Sequence, residues 1–142
     1  MDKNEIFELI SKSPVFFLGT VDNNQPRVRG MLLYKADERG ILFHTSSKKD
    51  LYKQILKNPN AELCFNCNGT QIRITGKLEI INDDNLKDEI CNDPSRKFLE
   101  QWKADGSFKN FYDEFIVFAL KHGSIVTWTM ADNFTPKNPI IF

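Results

Sequence analysis

The chain has 142 residues, with 19 Lys and Arg against 19 Asp and Glu, and this zero net charge argues against a protein built to neutralise a phosphate backbone. A hydrophobic share of 41%, including 12 Phe, can fill a real core and excludes a disordered chain; the length suits one domain spanning residues 1–142. The longest apolar run, Phe115 to Leu120, is too short to cross a bilayer, three Cys are too few for a disulfide scaffold, and the polar start lacks the order of a secretion signal, so we expect a cytoplasmic protein with neither nucleic acid nor membrane as partner.

The first predicted element is an amphipathic helix over residues 2–12, with Ile6, Leu9 and Ile10 on one face and Asp2 and Glu5 spaced as a capping box; Ser13-Pro14 stops it. Strand-type segments follow at 15–21, 27–34, 41–45, 61–66, 71–81, 115–121 and 124–130. Turn signals lie between them: Asp22-Asn23-Asn24, Asp37-Glu38-Arg39-Gly40, Asn68-Gly69 and His122-Gly123. Two helical stretches interrupt the series, one over 49–57 ended by Asn58-Pro59 and one over 83–104 broken near Asp93-Pro94. The pattern implies a mainly β fold with some α, an antiparallel barrel or sandwich of about six to seven strands with a few peripheral helices.

Parity matters in the strand over 27–34, where Arg27, Arg29, Met31 and Leu33 share one face and Val28, Gly30 and Leu32 the other. The strongest chemical signal is His44-Thr45-Ser46-Ser47-Lys48-Lys49-Asp50, which runs off a strand into a helix start. Unpaired backbone N–H groups and the positive end of a helix dipole favour anions there, and hydroxyls with two lysines add donors and charge, a match for a dianionic phosphate. Ser46 or Ser47 would equally serve as a simple helix cap. A hairpin through Asp37–Gly40 would bring Arg29 beside the same corner, where its fork suits phosphate, although a surface pair with a carboxylate is the competing role. Cys64 and Cys67, three apart on a strand, face opposite ways and do not form a metal pair; no metal site is expected. His122 belongs to an exposed turn, and His44 is the weak candidate for a catalytic group.

The ordered set of residues 19–29, 41–49, Asn58-Pro59 and 71–79 resembles the pyridoxamine 5'-phosphate oxidase-like, FMN-binding split barrels. That resemblance implies a homodimer with FMN at the subunit interface and a small-molecule substrate. It also implies that Arg29 reaches the flavin phosphate, that Thr45 and Ser46 are the cofactor-binding polar pair after the third strand, that Ser47, Lys48 and Lys49 form the phosphate clamp with Lys in place of the usual middle Arg, that Gly30 and Met31 lie beside the ring, that Gln71 contacts the flavin, and that His44 takes a place often held by Tyr. Trp102 or Trp128 would be available to wall the ring. The end of the chain, Lys137-Asn138-Pro139-Ile140-Ile141-Phe142, lacks the Arg-x-His substrate signature of the vitamin-oxidising members, and His44 looks closer to the nitroimidazole-reductase-type (Nim) branch. The implied activity is an FMN-dependent oxidoreductase that passes electrons from a reduced nicotinamide or similar donor to a small organic acceptor. A non-catalytic flavin-binding or storage module, or a split barrel holding a deazaflavin or haem, are the alternatives.

Overall fold

The computed structural model describes residues 1–142. Helix α1 (Lys3–Lys12) starts where the sequence places it: the Glu5 N–H donates to Asp2 Oδ1 at 2.9 Å and the Asp2 N–H to Glu5 Oε2 at 2.9 Å, a complete capping box. Its inward residues are Ile6, Phe7 and Ile10, with Leu9 only partly buried. β1 (Val15–Asp22) and β2 (Gln25–Leu32) are joined by Asn23-Asn24, and β5 (Asn60–Cys67) and β6 (Thr70–Lys77) by Asn68-Gly69. These two-residue turns need left-handed backbone, which Asn23 (φ 55), Asn68 (φ 52) and Gly69 (φ 86) supply.

The strands form two antiparallel sheets, the split-barrel architecture that the family resemblance implies. One has the order β10-β9-β6-β5-β1-β2 and the other β3-β4-β8-β7, where β3 is Lys35–Asp37, β4 Gly40–Ser46, β7 Glu79–Ile81, β8 Phe115–Leu120, β9 Gly123–Trp128 and β10 Ile140–Ile141. The sequence reading runs two of these segments too long. The expected strand over 27–34 ends at Leu32, and β3, not β2, forms the hairpin with β4. The expected strand over 71–81 likewise changes sheets at Leu78, whose N–H turns to the Pro59 carbonyl at 2.9 Å. Apolar alternation continues through both handovers, so periodicity cannot reveal them.

The barrel core stacks Phe16 on Phe65 (4.7 Å between ring centroids) and sets Phe43 edge-on to Phe16 at 5.2 Å. β8 is buried along its whole length because its two faces serve two cores. Ile116, Phe118 and Leu120 enter the barrel, whereas Phe115, Val117 and Ala119 lie under the helical segment 84–114. That segment is α3 (Asp84–Asn92), a 3-10 turn (Pro94–Arg96), α4 (Phe98–Ala104) and α5 (Phe111–Glu114), so the break near Asp93-Pro94 falls as expected. Cys67 faces inward and Cys64 outward on β5. No helix is long and apolar enough to cross a membrane.

Candidate functional site

β2, the end of β4 and helix α2 (Asp50–Lys57) enclose a cleft of about 1130 Å³. It brings together Arg29, Gly30, Met31, His44, Thr45, Lys48 and Lys49 of the residues expected from sequence, although Arg29 arrives from the opposite sheet and not from a hairpin neighbour of β4. Six cations line it (Arg27, Arg29, Lys48, Lys49, Lys53, Lys57) against two carboxylates, Asp22 and Asp50. Lys49, Lys53 and Lys57 recur every fourth residue, which places them along one flank of the helix.

Arg29 is the centre of this site. Its Nη1 donates to Thr20 Oγ1 at 2.7 Å and to the Leu18 carbonyl at 3.2 Å, its Nη2 donates to Gln54 Oε1 at 2.7 Å, and the Thr20 hydroxyl donates to the same Gln54 oxygen at 2.7 Å. All of these acceptors are neutral, so the surface carboxylate pair is not formed; Asp22 bonds Arg27 instead at 3.3 Å. Burial and the neighbouring Arg27 both hold the Arg29 guanidinium below its ordinary pKa, as expected of a cation fixed in place without a counter-ion. Thr20, 3% exposed, and Gln54 were not foreseen. Each is one polar residue in an otherwise unremarkable strand or helix, and only the tertiary fold gives it a partner.

The start of α2 is open. Lys49 occupies the N-cap position with extended backbone and no side-chain cap; the Tyr52 N–H donates to the Lys49 carbonyl at 3.2 Å, and the Asp50 and Leu51 N–H groups keep their donor capacity. Neither serine is the cap that was weighed for them. Ser46 Oγ accepts from the Lys48 N–H at 3.2 Å, Ser47 N–H donates to the Glu114 carbonyl at 2.9 Å, and neither residue borders the cleft. Lys48 borders it but turns its ammonium away, to the Ser107 carbonyl at 2.8 Å and to Glu114 Oε1 at 3.3 Å. Gln71 lies elsewhere: it opens β6, three strands from β2, opposite Asn66 and Trp128. Trp128 donates to Asn133 Oδ1 at 2.8 Å and Trp102 packs on Phe98, both outside the cleft.

His44 is half-buried on the inner wall, and its Nε2 accepts from Arg96 Nε at 2.9 Å. Burial first, then Arg96 and Lys49, push its pKa down to about 3. The sign of the consequence is fixed: the unfolded chain takes up a proton below about pH 6.5 where the folded chain does not, so this residue costs stability as pH falls. Urea unfolding between about pH 6 and pH 4 should lose up to about 1.4 kcal/mol more per pH unit in the native chain than in His44→Asn; equal slopes would show that His44 is not held neutral.

The donor set fits a dianionic phosphate: a caged arginine, Lys49, the Thr45 hydroxyl and an uncapped helix start converge with no carboxylate bonded to Arg29. Gly30 adds open space, since a Cβ there would meet only Phe17 Cε1, at 4.0 Å.

Comparison with known proteins gives a concordant picture. The family model described as "Pyridoxamine 5'-phosphate oxidase" matches residues 2–124. A pyridoxine/pyridoxamine 5'-phosphate oxidase of Agrobacterium fabrum is 31% identical over 93 residues, covering 63% of this chain; the chain spans 45% of that relative's length. Among solved structures, a NimC/NimA family protein from Clostridium acetobutylicum superposes with a TM-score of 0.74 at 20% identity, over 98% of this chain and 92% of that one. A pyridoxamine 5'-phosphate oxidase-related, FMN-binding protein from Nostoc punctiforme gives 0.62 at 20% identity, over 96% and 87%. Both likenesses are of fold.

Proposed function

Because this chain belongs to the pyridoxamine 5'-phosphate oxidase family, we propose that it is a flavoprotein holding FMN in the cleft between β2 and α2, and that it works as an oxidoreductase on a small organic acceptor. The observation that carries this reading is Arg29, a cation held by three neutral acceptors beside an uncapped helix start. Arg29, Lys49, Thr45 and the first-turn N–H groups of α2 would hold the phosphate, and Met31, Gly30 and Val28 would border the ring. FMN, when bound, would supply the electron-transfer chemistry between a reduced nicotinamide or similar donor and the acceptor. The chain's own contribution is placement, together with a neutral imidazole at position 44 that takes no proton near neutral pH.

The proposal includes a second copy of the chain. On the outward face of the six-stranded sheet, Val15, Phe17 and Val28 are 63%, 57% and 68% exposed, and Leu32 lies beside them. Arg73 on the same face keeps a buried Nε with no hydrogen-bond partner. Val28 and Gly30 border both this face and the cleft, so a copy seated here would close the cleft over the ring and exclude water.

The direct test is isothermal titration with FMN and riboflavin. Binding that depends on the phosphate supports the reading, and equal affinity for the two defeats it. Lys48→Ala, whose ammonium already serves Ser107 and Glu114, should change FMN affinity by less than about threefold, as exposed ion pairs contribute little. Turnover of a nitro-compound or quinone with a reduced nicotinamide separates the oxidoreductase from a flavin-storage module.

A further inference from the structure

Arg96 is 2% exposed, yet it makes no salt bridge. It comes from the 3-10 turn after α3 and spends its guanidinium on three elements at once. Nε donates to His44 Nε2 at 2.9 Å, Nη2 to the Leu33 carbonyl at 2.9 Å and the Leu32 carbonyl at 3.4 Å, and Nη1 to Ser95 Oγ at 3.0 Å. The Tyr34 ring lies 5.6 Å from its central carbon. A guanidinium has only donors, so the imidazole nitrogen that meets it must carry a lone pair. The single proton of a neutral imidazole then belongs on Nδ1, which has no hydrogen-bond partner within the chain, and His44 borders the cleft. Phe115 at 4.9 Å and Phe98 at 6.4 Å restrain the ring.

We infer that Arg96 is a positioning residue which fixes His44 as a neutral Nδ1–H donor on the cleft wall, serving an acceptor oxygen or nitrogen of the planar ligand bound there. This rests on the reading of the cleft as a ligand site, but the tautomer itself does not. Arg96 and Lys49 are the charged groups acting on His44; Asp93 and Tyr34 act on Arg96 from its far side. His44 is accordingly a donor and never a base, and the cleft favours ring systems that present a carbonyl or ring-nitrogen lone pair to it.

Long-range nitrogen–proton correlation spectra of the ligand-free protein read the tautomer directly, with His122 as the one other histidine in the spectrum. The expected result is a single His44 pattern, bare at Nε2 and protonated at Nδ1, unchanged from about pH 8 to about pH 5. In Arg96→Met, His44 should mix tautomers, and Arg96→Lys should recover part of the native pattern. FMN affinity in Arg96→Met should fall about three- to tenfold, the worth of one hydrogen bond, while competition by inorganic phosphate stays unchanged. An Nε2-protonated or doubly protonated His44 in the native protein at about pH 6, or a folded Arg96→Met with the native tautomer, would overturn the inference. If Arg96→Met does not fold, the native and Arg96→Lys spectra decide, a native tautomer mixture counting against it. The expected tautomer without any FMN binding supports the role of Arg96 and sinks the flavin reading instead.

Discussion

Replacing Arg29 with Met is expected to weaken FMN binding by roughly 10- to 150-fold, the loss that follows when a charge-assisted contact worth about 1.5–3 kcal/mol is removed. The size comes from preorganisation. Thr20, Gln54 and the Leu18 carbonyl hold the guanidinium before any ligand arrives, so little side-chain entropy is lost on binding, and no carboxylate has to be displaced. Gln54→Glu should act through the same geometry by placing a carboxylate against Arg29 and filling the anion corner from within. Its effect has a definite pH sign: the deficit relative to the native chain at the same pH should shrink as acidity protonates the new carboxyl, which the guanidinium holds below the ordinary value of about 4.3. Fluorescence titration of FMN at two pH values checks both variants. Arg29→Met binding FMN like the native chain would remove the cleft from consideration.

Phe17→Lys should turn a dimer into a monomer and cost flavin binding at the same time. Phe17 is 57% exposed on the outward face, so a lysine there is harmless to the isolated fold. In a closed interface it would be desolvated beside Arg73, which stands in line with it across β5. Unpaired or like charges in such a setting cost about 2–5 kcal/mol, enough to raise the dimer dissociation constant by some 30- to 5,000-fold. Sedimentation velocity reads the assembly, and the yellow colour of the purified protein reads the flavin. A native chain that sediments as a monomer, or a Phe17→Lys variant that stays dimeric, would refute this interface.

Much of this molecule can be read from its residues, and the limit has a physical origin. Asn68-Gly69 and Asn23-Asn24 announce their hairpins because few residues accept left-handed backbone, and the run at 44–49 announces the passage from a strand to a helix start, the place where we propose an anion is held. Leu33-Tyr34 and Leu78, where the chain leaves one sheet for the other, carry no such mark; a handover keeps the alternation and changes only the neighbour. The partners of the key side chains are equally silent. Thr20 and Gln54 lie 34 residues apart, and Arg96 and His44 lie 52 apart. No periodicity links such positions, since their meeting is set by how the sheets pack. Lys48 shows the reverse case, a residue that borders the cleft as expected while its charge is spent on Glu114.

The lysines at 49, 53 and 57 make ionic strength act on this chain with two opposite signs. Like charges four residues apart strain a helix by about 0.2–0.5 kcal/mol per pair, so mobile ions relax the ligand-free protein. The same ions weaken its long-range pull on a dianion, whose capture rate falls as the Debye length shrinks to about 8 Å in physiological saline. Added salt therefore eases the crowding along this one helix and, on the reading that the cleft holds a flavin phosphate, slows that ligand's arrival.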